Sequence, residues 1–421
     1  GPTTTQDPEA IWSAVRDAVR QISSEHPAQA GEVRSIGVCS QYSSLVAVGR
    51  DGRAVSPVKL YLDTRGADHC WAILDRHPEA FGTWVDRHGI PPIGSGLTLS
   101  HLLHFQHDEP DVHARTAVYL EVMDFVNQRL TGRAAATQCT MFASQLCDTY
   151  DQDLVTIAGV DHDRLPPLIG MDEEGGGLLD DVAADLGIPT GVVVMAAMND
   201  TQAGAFATGV LADPARRGVV VGTTGVLIQS LPAMAVDLDN EVLSMPAPVP
   251  GRYTVMAENG IAGRAVERVL EMLATSTGGS ASTTVIERFT ELTAALDNTA
   301  AGAGGLLFLP WLAGSMSPSS SSEMRGGFIG MSLSTSRSDV LRATVEGVAR
   351  NLRWLSPAVD ALCGRSGEEL VFAGGAARSG AVAQVLADVT GQPVHVVERP
   401  EIAAALATGQ VAARRSAGID P

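Results

Sequence analysis

Residues 192–201 read VVVMAAMNDT, and residues 219–228 read VVVGTTGVLI. The first stretch is an apolar run typical of a buried strand. It leads to an acid, Asp200, and a carboxylate just past a strand end is placed to accept a proton from a substrate hydroxyl. The second stretch joins two β-rich runs through the turn Gly222-Thr223-Thr224-Gly225, and such a turn directs backbone N–H groups and hydroxyls towards a phosphate. An acid that activates an alcohol and a turn that binds phosphate together indicate phosphoryl transfer.

Both stretches also have a purely structural interpretation. Asp is a common residue at the N-cap of a helix, and Asp200 fits that position. Asn199 beside it either orients a substrate or holds the turn. Glycines make hairpins and threonines favour strands, so residues 222–225 also fit an ordinary hairpin. The capping and catalytic roles of Asp200 are compatible, because a cap at a strand-to-helix turn stays accessible.

Composition narrows the class of protein. The chain has 421 residues, of which 45% are apolar and 18% charged, and a length of this size predicts two to three domains. Its net charge of −19 disfavours nonspecific binding to nucleic acid or to an anionic membrane. The five cysteines are scattered without a C-x-x-C spacing, which argues against a disulfide framework or a zinc site. We expect a cytoplasmic protein with no nucleic-acid partner and no membrane partner.

Strand-like and helix-like patterns alternate along the chain, which predicts α/β layers. The periodicity predicts helices at 97–107, 118–130, 178–186, 260–273, 340–355 and 381–389. The short apolar runs predict strands at 33–38, 45–48, 370–372 and 394–397. Stretches rich in Ser, Thr and Gly predict loops at 275–284 and 315–322. A change of character near residue 210 predicts two domains, residues 1–210 and 211–421.

Motifs in the first half resemble those of the FGGY family of carbohydrate kinases. Ser40-Gln41-Tyr42-Ser43 lies where the family has a Gly-Gln-x-x turn that contacts the sugar, and residues 60–65, LYLDTR, resemble its Trp-x-Asp-x-Arg segment. Residues 124–132 are similar to its Asp-Tyr-x…Leu-Thr-Gly helix end, and Asn199-Asp200 to the strand-end Asp that serves as general base. The resemblance implies that Asp200 is catalytic. It implies substrate contacts from Gln41, Tyr42, Ser43, Asp63, Arg65 and Asn199.

Motifs in the second half resemble the nucleotide-binding part of the same family. The 222–225 turn resembles its second phosphate motif, and residues 262–265, AGRA, resemble the helix start beside the nucleotide. Residues 374–379, GGAARS, are similar to the adenosine motif. The resemblance implies nucleotide contacts from Gly222, Thr223, Thr224, Gly263, Gly374, Gly375 and Ser379.

Membership of this family implies the actin/hexokinase-like ATPase fold, an α/β fold whose two domains flank a cleft. The implied reaction transfers the γ-phosphate of ATP to a hydroxyl of a pentulose or related sugar or polyol, with Mg²⁺ bridging phosphate oxygens and no separate set of metal ligands. The length and residues 374–412 look closest to xylulokinase-like pentulose kinases. A homodimer is a further expectation.

The chain also departs from the family pattern. The family's first strand hairpin carries Asp-x-Gly-Thr, which this sequence does not contain, and residues 1–12 resemble a stretch after that hairpin. Tyr42-Ser43 stands where xylulokinases usually have Met-His, and Met316 where many members have Arg. These departures leave a second hypothesis, a pseudokinase or shortened chain that binds sugar or nucleotide with little turnover. A dehydrogenase is disfavoured because no Gly-x-Gly-x-x-Gly follows a strand.

Several candidate contacts have structural alternatives. Polar residues at strand ends, such as Gln41 and Asp63, often satisfy only the local backbone. Arg65 is placed to form an ion pair with Asp63, two residues away. His101, His104 and His107 recur every third residue, a spacing that could form a metal-binding face, but we expect all three to lie on the surface.

Overall fold

The computed structural model describes residues 3–94, 96–147, 149–273, 285–321 and 323–419; the side chains of residues 285, 286 and 288 are outside this description. The predicted loop at 275–284 therefore lies outside the described residues. By compactness the described residues divide into two units. Unit 1 contains the residues up to Ala203, the segment Met245–Arg252 and the residues from Ala404 onward, and unit 2 contains Gly204–Ser244 and Tyr253–Ala403. Because these units report compactness and not function, the domain boundary near residue 210 stays a prediction.

The part of the chain up to residue 199 is a mixture of short strands and helices. Its strands are β1 Thr5–Gln6, β2 Ser35–Ile36, β3 Cys39–Ser40, β4 Leu45–Val48, β5 Val58–Lys59, β6 Val118–Glu121, β7 Glu174–Gly177, β8 Val193–Met195 and β9 Met198–Asn199. Its helices are α1 Pro8–Glu25, α2 Pro27–Ala30, α3 Ala67–Arg76, α4 Ala80–His88, α5 Thr98–Asp108, α6 Pro110–Arg115, α7 Val122–Thr131, α8 Gln152–Ala158 and α9 Asp180–Leu186.

The later part has longer strands and longer helices. Its strands are β10 Arg216–Val221, β11 Gly225–Leu231, β12 Val236–Asp237, β13 Val242–Pro246, β14 Tyr253–Asn259, β15 Leu307–Leu309, β16 Gly327–Ile329, β17 Glu369–Ala373 and β18 Val394–Val396. Its helices are α10 Asp200–Ala207, α11 Gly263–Leu273, α12 Val285–Asn298, α13 Arg337–Cys363, α14 Gly380–Thr390 and α15 Ala403–Ser416. Short 3₁₀ turns add Phe142–Ser144, His162–Arg164, Ala303–Gly305, Gly375–Arg378 and Pro400–Ile402.

Three small sheets form the framework of unit 1. The largest has the order β1-β5-β4-β6, and β4 is completely buried because it packs apolar side chains on both faces. The other two have the orders β2-β8-β7 and β3-β9. In both, a segment from residues 35–40 lies parallel to a segment from residues 193–199. Residues 35–40 and residues 193–199, which are far apart in sequence, therefore run side by side in the same direction and end at the same edge of unit 1.

A seven-stranded sheet of order β12-β13-β14-β11-β10-β17-β18 forms the framework of unit 2. Strands β10 and β11 form an antiparallel hairpin, while β17 lies parallel to both β10 and β18. The apolar faces of α11, α12, α13 and α14 pack against this sheet. Helix α13 begins with a capping box in which Ser336 and Asp339 bond each other's backbone N–H groups, and this explains its sharp start.

The predicted α/β layering is confirmed, but several element boundaries were wrong. The predicted helix at 118–130 is strand β6 followed by α7, because the run Val-Tyr-Leu-Glu pairs with β4 instead of joining the helix. The predicted strand at 33–38 is only the two-residue strand β2, with β3 beginning after its predicted end, and the strands β12 to β14 were not predicted. Within the described residues, no helix is both long enough and apolar enough to cross a membrane.

Candidate functional site

The parallel pairing of β3 with β9 brings Gln41 and Asp200 to one edge of unit 1. Cys39 pairs with Met198 and Ser40 with Asn199, so Gln41 and Asp200 are the next residues on adjacent chains. Parallel strands that end together direct their following turns to the same side. The predicted strand-end acid and the predicted sugar-contacting turn are therefore neighbours in space, although 159 positions separate them in sequence.

Asn199, not Asp200, caps helix α10. The Oδ1 atom of Asn199 accepts the Gln202 N–H at 2.8 Å, and Oε1 of Gln202 accepts the Asn199 N–H at 2.9 Å. This reciprocal pair is a capping box. Asn199 is fully buried. The geometry favours the turn-holding role for Asn199 over a direct substrate contact, which stays an untested prediction.

Asp200 is left with a carboxylate at the surface. Its Oδ1 accepts only the neighbouring Thr201 N–H, at 2.8 Å, among the hydrogen bonds between Asp200 and other described residues. The residue is exposed, yet protein packed around the rest of the side chain removes part of its hydration. This desolvation raises the pKa of the Asp200 carboxyl above its ordinary value, and the Thr201 N–H opposes the rise. A carboxylate with a raised pKa is a stronger base.

The 40–43 turn has an exposed part and a buried part. Gln41 and Tyr42 are half-buried and reach solvent, so both are able to contact a ligand. Ser43 is buried with a φ of 52°, and its carbonyl lies 3.3 Å from Nε2 of His101. The Ser43 side chain therefore has no open path to a ligand in this conformation. Its predicted substrate contact is not supported by its burial.

Asp63 and Arg65 form an ion pair in which the carboxylate is buried and the guanidinium is partly exposed. The Asp63 carboxylate accepts Nε of Arg65 at 2.9 Å, Nη2 of Arg65 at 2.7 Å and the Thr4 N–H at 3.1 Å. Burial by itself would raise the pKa of Asp63, but these donors outweigh it and lower the pKa to about 2. Since the carboxylate is fully buried and has several donors, the geometry favours the structural alternative for both residues. Their substrate contacts stay predictions.

The expectation that His101, His104 and His107 lie on the surface was wrong for the first two. His101 and His104 are buried, because α5 is packed on most of its circumference from Thr98 to Phe105. Burial lowers the pKa of His101 to about 4, so it is neutral at physiological pH. A neutral His101 beneath the 40–43 turn serves as a packed hydrogen-bonding partner for the Ser43 carbonyl.

Unit 2 contains a cavity of about 330 Å³. Pockets for small ligands and cofactors typically occupy roughly 300–1,000 Å³. Its lining includes Gly222 and Thr223 of the hairpin turn and Gly263 at the start of α11. Most of the wall is apolar and comes from α11 to α14, with Val266, Phe289, Leu292, Val345, Val348, Ala349, Leu352, Val382 and Leu386. An apolar cavity that includes a glycine turn suits a flat base and its phosphates.

Two glycines allow the backbone segments around this cavity to approach each other. The Gly263 N–H donates to the Gly222 carbonyl at 3.0 Å, and a Cβ at Gly263 would lie only 2.1 Å from that oxygen. Gly374 has a φ of 92°, and a Cβ there would lie 2.5 Å from the Val221 carbonyl. Both contacts are with backbone, so neither can be relieved by a side-chain rotation. These glycines therefore hold α11 and the 374–379 segment against the end of β10.

Of the residues predicted from the sequence to contact the nucleotide, some line the cavity and others do not. Gly222, Thr223, Gly263 and Gly375 line the cavity, while Thr224, Gly374 and Ser379 do not. Ser379 is the N-cap of α14: its Oγ accepts the Val382 N–H at 3.4 Å and lies 3.0 Å from Oγ1 of Thr293. The sequence reasoning missed the charged lining residues Glu267, Arg378 and Glu401. Arg378 had a local signal, because it lies inside the quoted GGAARS motif.

Known proteins of one family match this sequence over almost its whole length. The N-terminal domain model of the FGGY family of carbohydrate kinases matches residues 2–207, and the C-terminal domain model matches residues 193–411. The xylulose kinase of Escherichia coli K12 is 26% identical over 411 residues, which cover 97% of this chain and 81% of that protein.

Solved structures agree in fold. A xyloylose kinase from Brucella ovis matches with a TM-score of 0.85 at 24% identity, covering 100% of this chain and 84% of that one. A gluconate kinase from Lactobacillus acidophilus matches with a TM-score of 0.82 at 18% identity, covering 100% and 82%. These similarities confirm the actin/hexokinase-like ATPase fold. The chain therefore belongs to the FGGY family of carbohydrate kinases, which are ATP-dependent phosphotransferases.

Proposed function

We propose that this kinase transfers the γ-phosphate of ATP to a hydroxyl of a pentulose or a related sugar or polyol, with Asp200 as the general base. The observation that carries the proposal is the pairing of β3 with β9, which puts Gln41 and Asp200 side by side. Asn199 performs the capping, so the Asp200 carboxylate is not needed to hold the helix. An exposed acid beside half-buried polar side chains fits a site for a polyhydroxy substrate.

The substrate class rests on the relatives. Similarity to a xylulose kinase over 97% of the chain supports a pentulose, and a gluconokinase matches at a lower identity, 23% over 95% of the chain. Tyr42 and Ser43 differ from the residues that xylulokinases usually carry at that turn. A pentulose is therefore the first substrate to test, and sugar acids and polyols of similar length are the next.

In the proposed reaction Asp200 accepts or orients the proton of the attacking hydroxyl. The hydroxyl oxygen forms a bond to the γ-phosphorus as the bond to the β–γ bridging oxygen breaks, and ADP leaves. The raised pKa of Asp200 makes it a better proton acceptor than an ordinary surface Asp. Gln41 and Tyr42 bind other hydroxyls and so position the reacting one.

ATP is assigned to the cavity of unit 2. We place the adenosine against its apolar wall and the phosphates towards Gly222 and Thr223, with Gly375 also on the lining. Among the charged lining residues Glu267, Arg378 and Glu401, Arg378 is the one able to form an ion pair with a phosphate. Gly374 and Ser379 act indirectly in this scheme, by shaping the strand-to-helix turn.

Mg²⁺ is expected to enter with ATP. It usually keeps several waters and binds through substrate phosphates with few protein oxygens. The exposed Thr223 hydroxyl on the cavity lining is an oxygen donor of the required type, so the residues present fit such an ion. When bound, Mg²⁺ would neutralise charge on the phosphate oxygens.

The test is a coupled ADP-release assay with xylulose, ribulose, gluconate, glycerol and a sugar-free control. Stimulation of ADP release by one of these compounds, and its loss in Asp200→Asn, would support the proposal. A protein that binds ATP in calorimetry but releases ADP with none of them would instead support the binding-only hypothesis. Full activity of Asp200→Asn would reject Asp200 as the base and keep the kinase assignment.

A further inference from the structure

Helices α3 and α5 pack together and place three potential metal ligands in one cluster. His69 comes from α3, and His104 and Asp108 come from α5, one helical turn apart. Nε2 of His69 and Nδ1 of His104 each lie 2.6 Å from Oδ2 of Asp108. The three ligand atoms all lie within 4.8 Å of one another. None of these residues belongs to the proposed sugar or nucleotide site.

We propose that His69, His104 and Asp108 bind a divalent transition-metal ion of the Zn²⁺ type through two imidazole nitrogens and one carboxylate oxygen. Sites with three protein ligands and a water in the fourth position are a usual arrangement for Zn²⁺. Metal–ligand distances of about 2.0–2.2 Å separate neighbouring ligand atoms by roughly 3.3 Å in a tetrahedron. The cluster therefore has to widen by less than an ångström at each His–Asp contact, and the Asp108 side chain, 44% exposed, is free to make that movement.

The surroundings of His104 give an independent indication of metal binding. Nε2 of His104 is buried and lies 3.4 Å from Oε1 of Glu109, beyond an ordinary hydrogen bond. In metal sites the second ring nitrogen of a ligating histidine usually donates to a carboxylate, which fixes the tautomer. A small tilt of the imidazole ring that brings Nε2 closer to the Glu109 carboxylate would complete this contact. Nδ1 would then present its lone pair to the ion.

Glu109 is held in place for that role. Its Oε1 lies 2.7 Å from Nζ of the buried Lys59 and 3.4 Å from Nη1 of Arg65. A carboxylate fixed by two cations is a rigid partner for the imidazole. Metal binding through these atoms requires the tautomers that carry hydrogen on Nδ1 of His69 and on Nε2 of His104.

Cys70 is the competing ligand closest in sequence, since it follows His69 on α3. It is buried within an apolar core cluster, and its sulfur is not part of the group of ligand atoms formed by His69, His104 and Asp108. The assigned site therefore contains nitrogen and oxygen ligands only. This makes it distinguishable from a site formed by cysteines.

The experiment uses the full chain without an affinity tag and without nucleotide, titrated with Zn²⁺ at pH 7.5 in a calorimeter. We expect one equivalent to bind, with at least about tenfold weaker affinity in His69→Gln and in Asp108→Asn. Both side chains are partly exposed, so these variants should fold, which circular dichroism checks. His26→Gln is the matched control, because it removes an exposed histidine that is not one of the three ligands.

Spectroscopy with Co²⁺ provides a second readout. A site of two histidines and one aspartate should give visible d–d bands that disappear in His69→Gln. A near-ultraviolet thiolate-to-cobalt charge-transfer band would show that cysteines bind the ion and would overturn the assignment. Absence of saturable Zn²⁺ binding, or equal affinity in the wild-type protein and both variants, would overturn it as well.

Discussion

Replacing Glu121 by Gln should make the protein more stable at alkaline pH. Glu121 ends strand β6 and is completely buried, with its carboxylate accepting the Thr98 hydroxyl and, at 2.8 Å, the Ser44 N–H. Desolvation raises the pKa of Glu121 to about 7, although these two donors oppose the rise. Gln has the same shape and can keep both contacts, with its amide nitrogen donating to the threonine oxygen.

The magnitude follows from proton linkage. The ordinary pKa of Glu is 4.5, so between pH 4.5 and about 7 the folded protein holds a proton that the unfolded chain has lost. The stabilisation from this proton is complete below pH 4.5 and is lost as pH rises through about 7. The difference between the two pKa values corresponds to about 3 kcal/mol in the free energy of unfolding. Gln cannot ionise and avoids this loss.

Urea unfolding of both proteins, followed by circular dichroism at several pH values from 4.5 to 8.5, measures the effect. The stability gap in favour of Glu121→Gln should be close to zero at pH 4.5 and about 3 kcal/mol at pH 8.5. Buried His88 and His101, both with a pKa lowered to about 4, change stability in the opposite direction. They are present in both proteins and cancel in the difference.

The control is Glu32→Gln, at an exposed position, whose gap to the wild type should stay flat with pH. A pH-independent gap for Glu121→Gln would show that Glu121 is ionised in the folded protein throughout this range. A variant that is less stable than the wild type at pH 8.5 would show that a negative charge at this position supports the fold. Either result would refute the linkage reasoning.

Three other substitutions test the site and its supports. Asp200→Asn should lower kcat about 100- to 10,000-fold with little change in the KM for sugar, which steady-state kinetics measures; an unchanged kcat would reject the base. Gly263→Ala forces a Cβ to 2.1 Å from the Gly222 oxygen and should lower kcat/KM for ATP on the order of 100-fold. The control Gly380→Ala places its Cβ in open space and should leave kcat/KM unchanged. Equal kcat/KM values in the two variants would contradict the close-approach argument. Asp63→Asn should lower the free energy of unfolding by about 2 kcal/mol at pH 7, because the pKa of Asp63 is lowered to about 2 in the folded protein. In urea unfolding this loss should become smaller as pH falls through about 4 towards 2. A loss that stays constant with pH would argue against the ion pair.

The sequence predicted those features that depend on local patterns. The strand-end position of Asp200, the hairpin around the 222–225 turn and the helix at residues 98–108 all follow from residue types that are close in sequence. The fold class followed from the resemblance and is confirmed by the comparisons. Strands β12 to β14 were missed because their burial depends on the helices that cover the sheet, and not on a clear alternation in sequence.

The histidines show most clearly what local patterns leave out. Regular spacing drew attention to His101, His104 and His107, but α5 is buried on most of its circumference and these three do not form a common surface. The cluster that does form combines His104 with His69, which lies 35 positions earlier on another helix. Only the packing of α3 against α5 brings these two together. A pairing of that kind cannot be derived from the period of either helix.

Asn199 and Asp200 show why two adjacent candidates needed a structure to be distinguished. Both residue types are good helix caps, so the sequence allowed either to hold the turn and either to face a substrate. Gln202 identifies Asn199 as the capping residue, because the Gln202 side chain bonds the Asn199 backbone N–H and completes the capping box. A cap at Asn199 makes the next residue the first of the helix, and its exposed carboxylate then bonds only the adjacent Thr201 N–H among the other described residues. The capping residue thus leaves its neighbour available for the proposed role of general base, and we expect that exchanging these two side chains, as Asn199→Asp with Asp200→Asn, would not preserve the site.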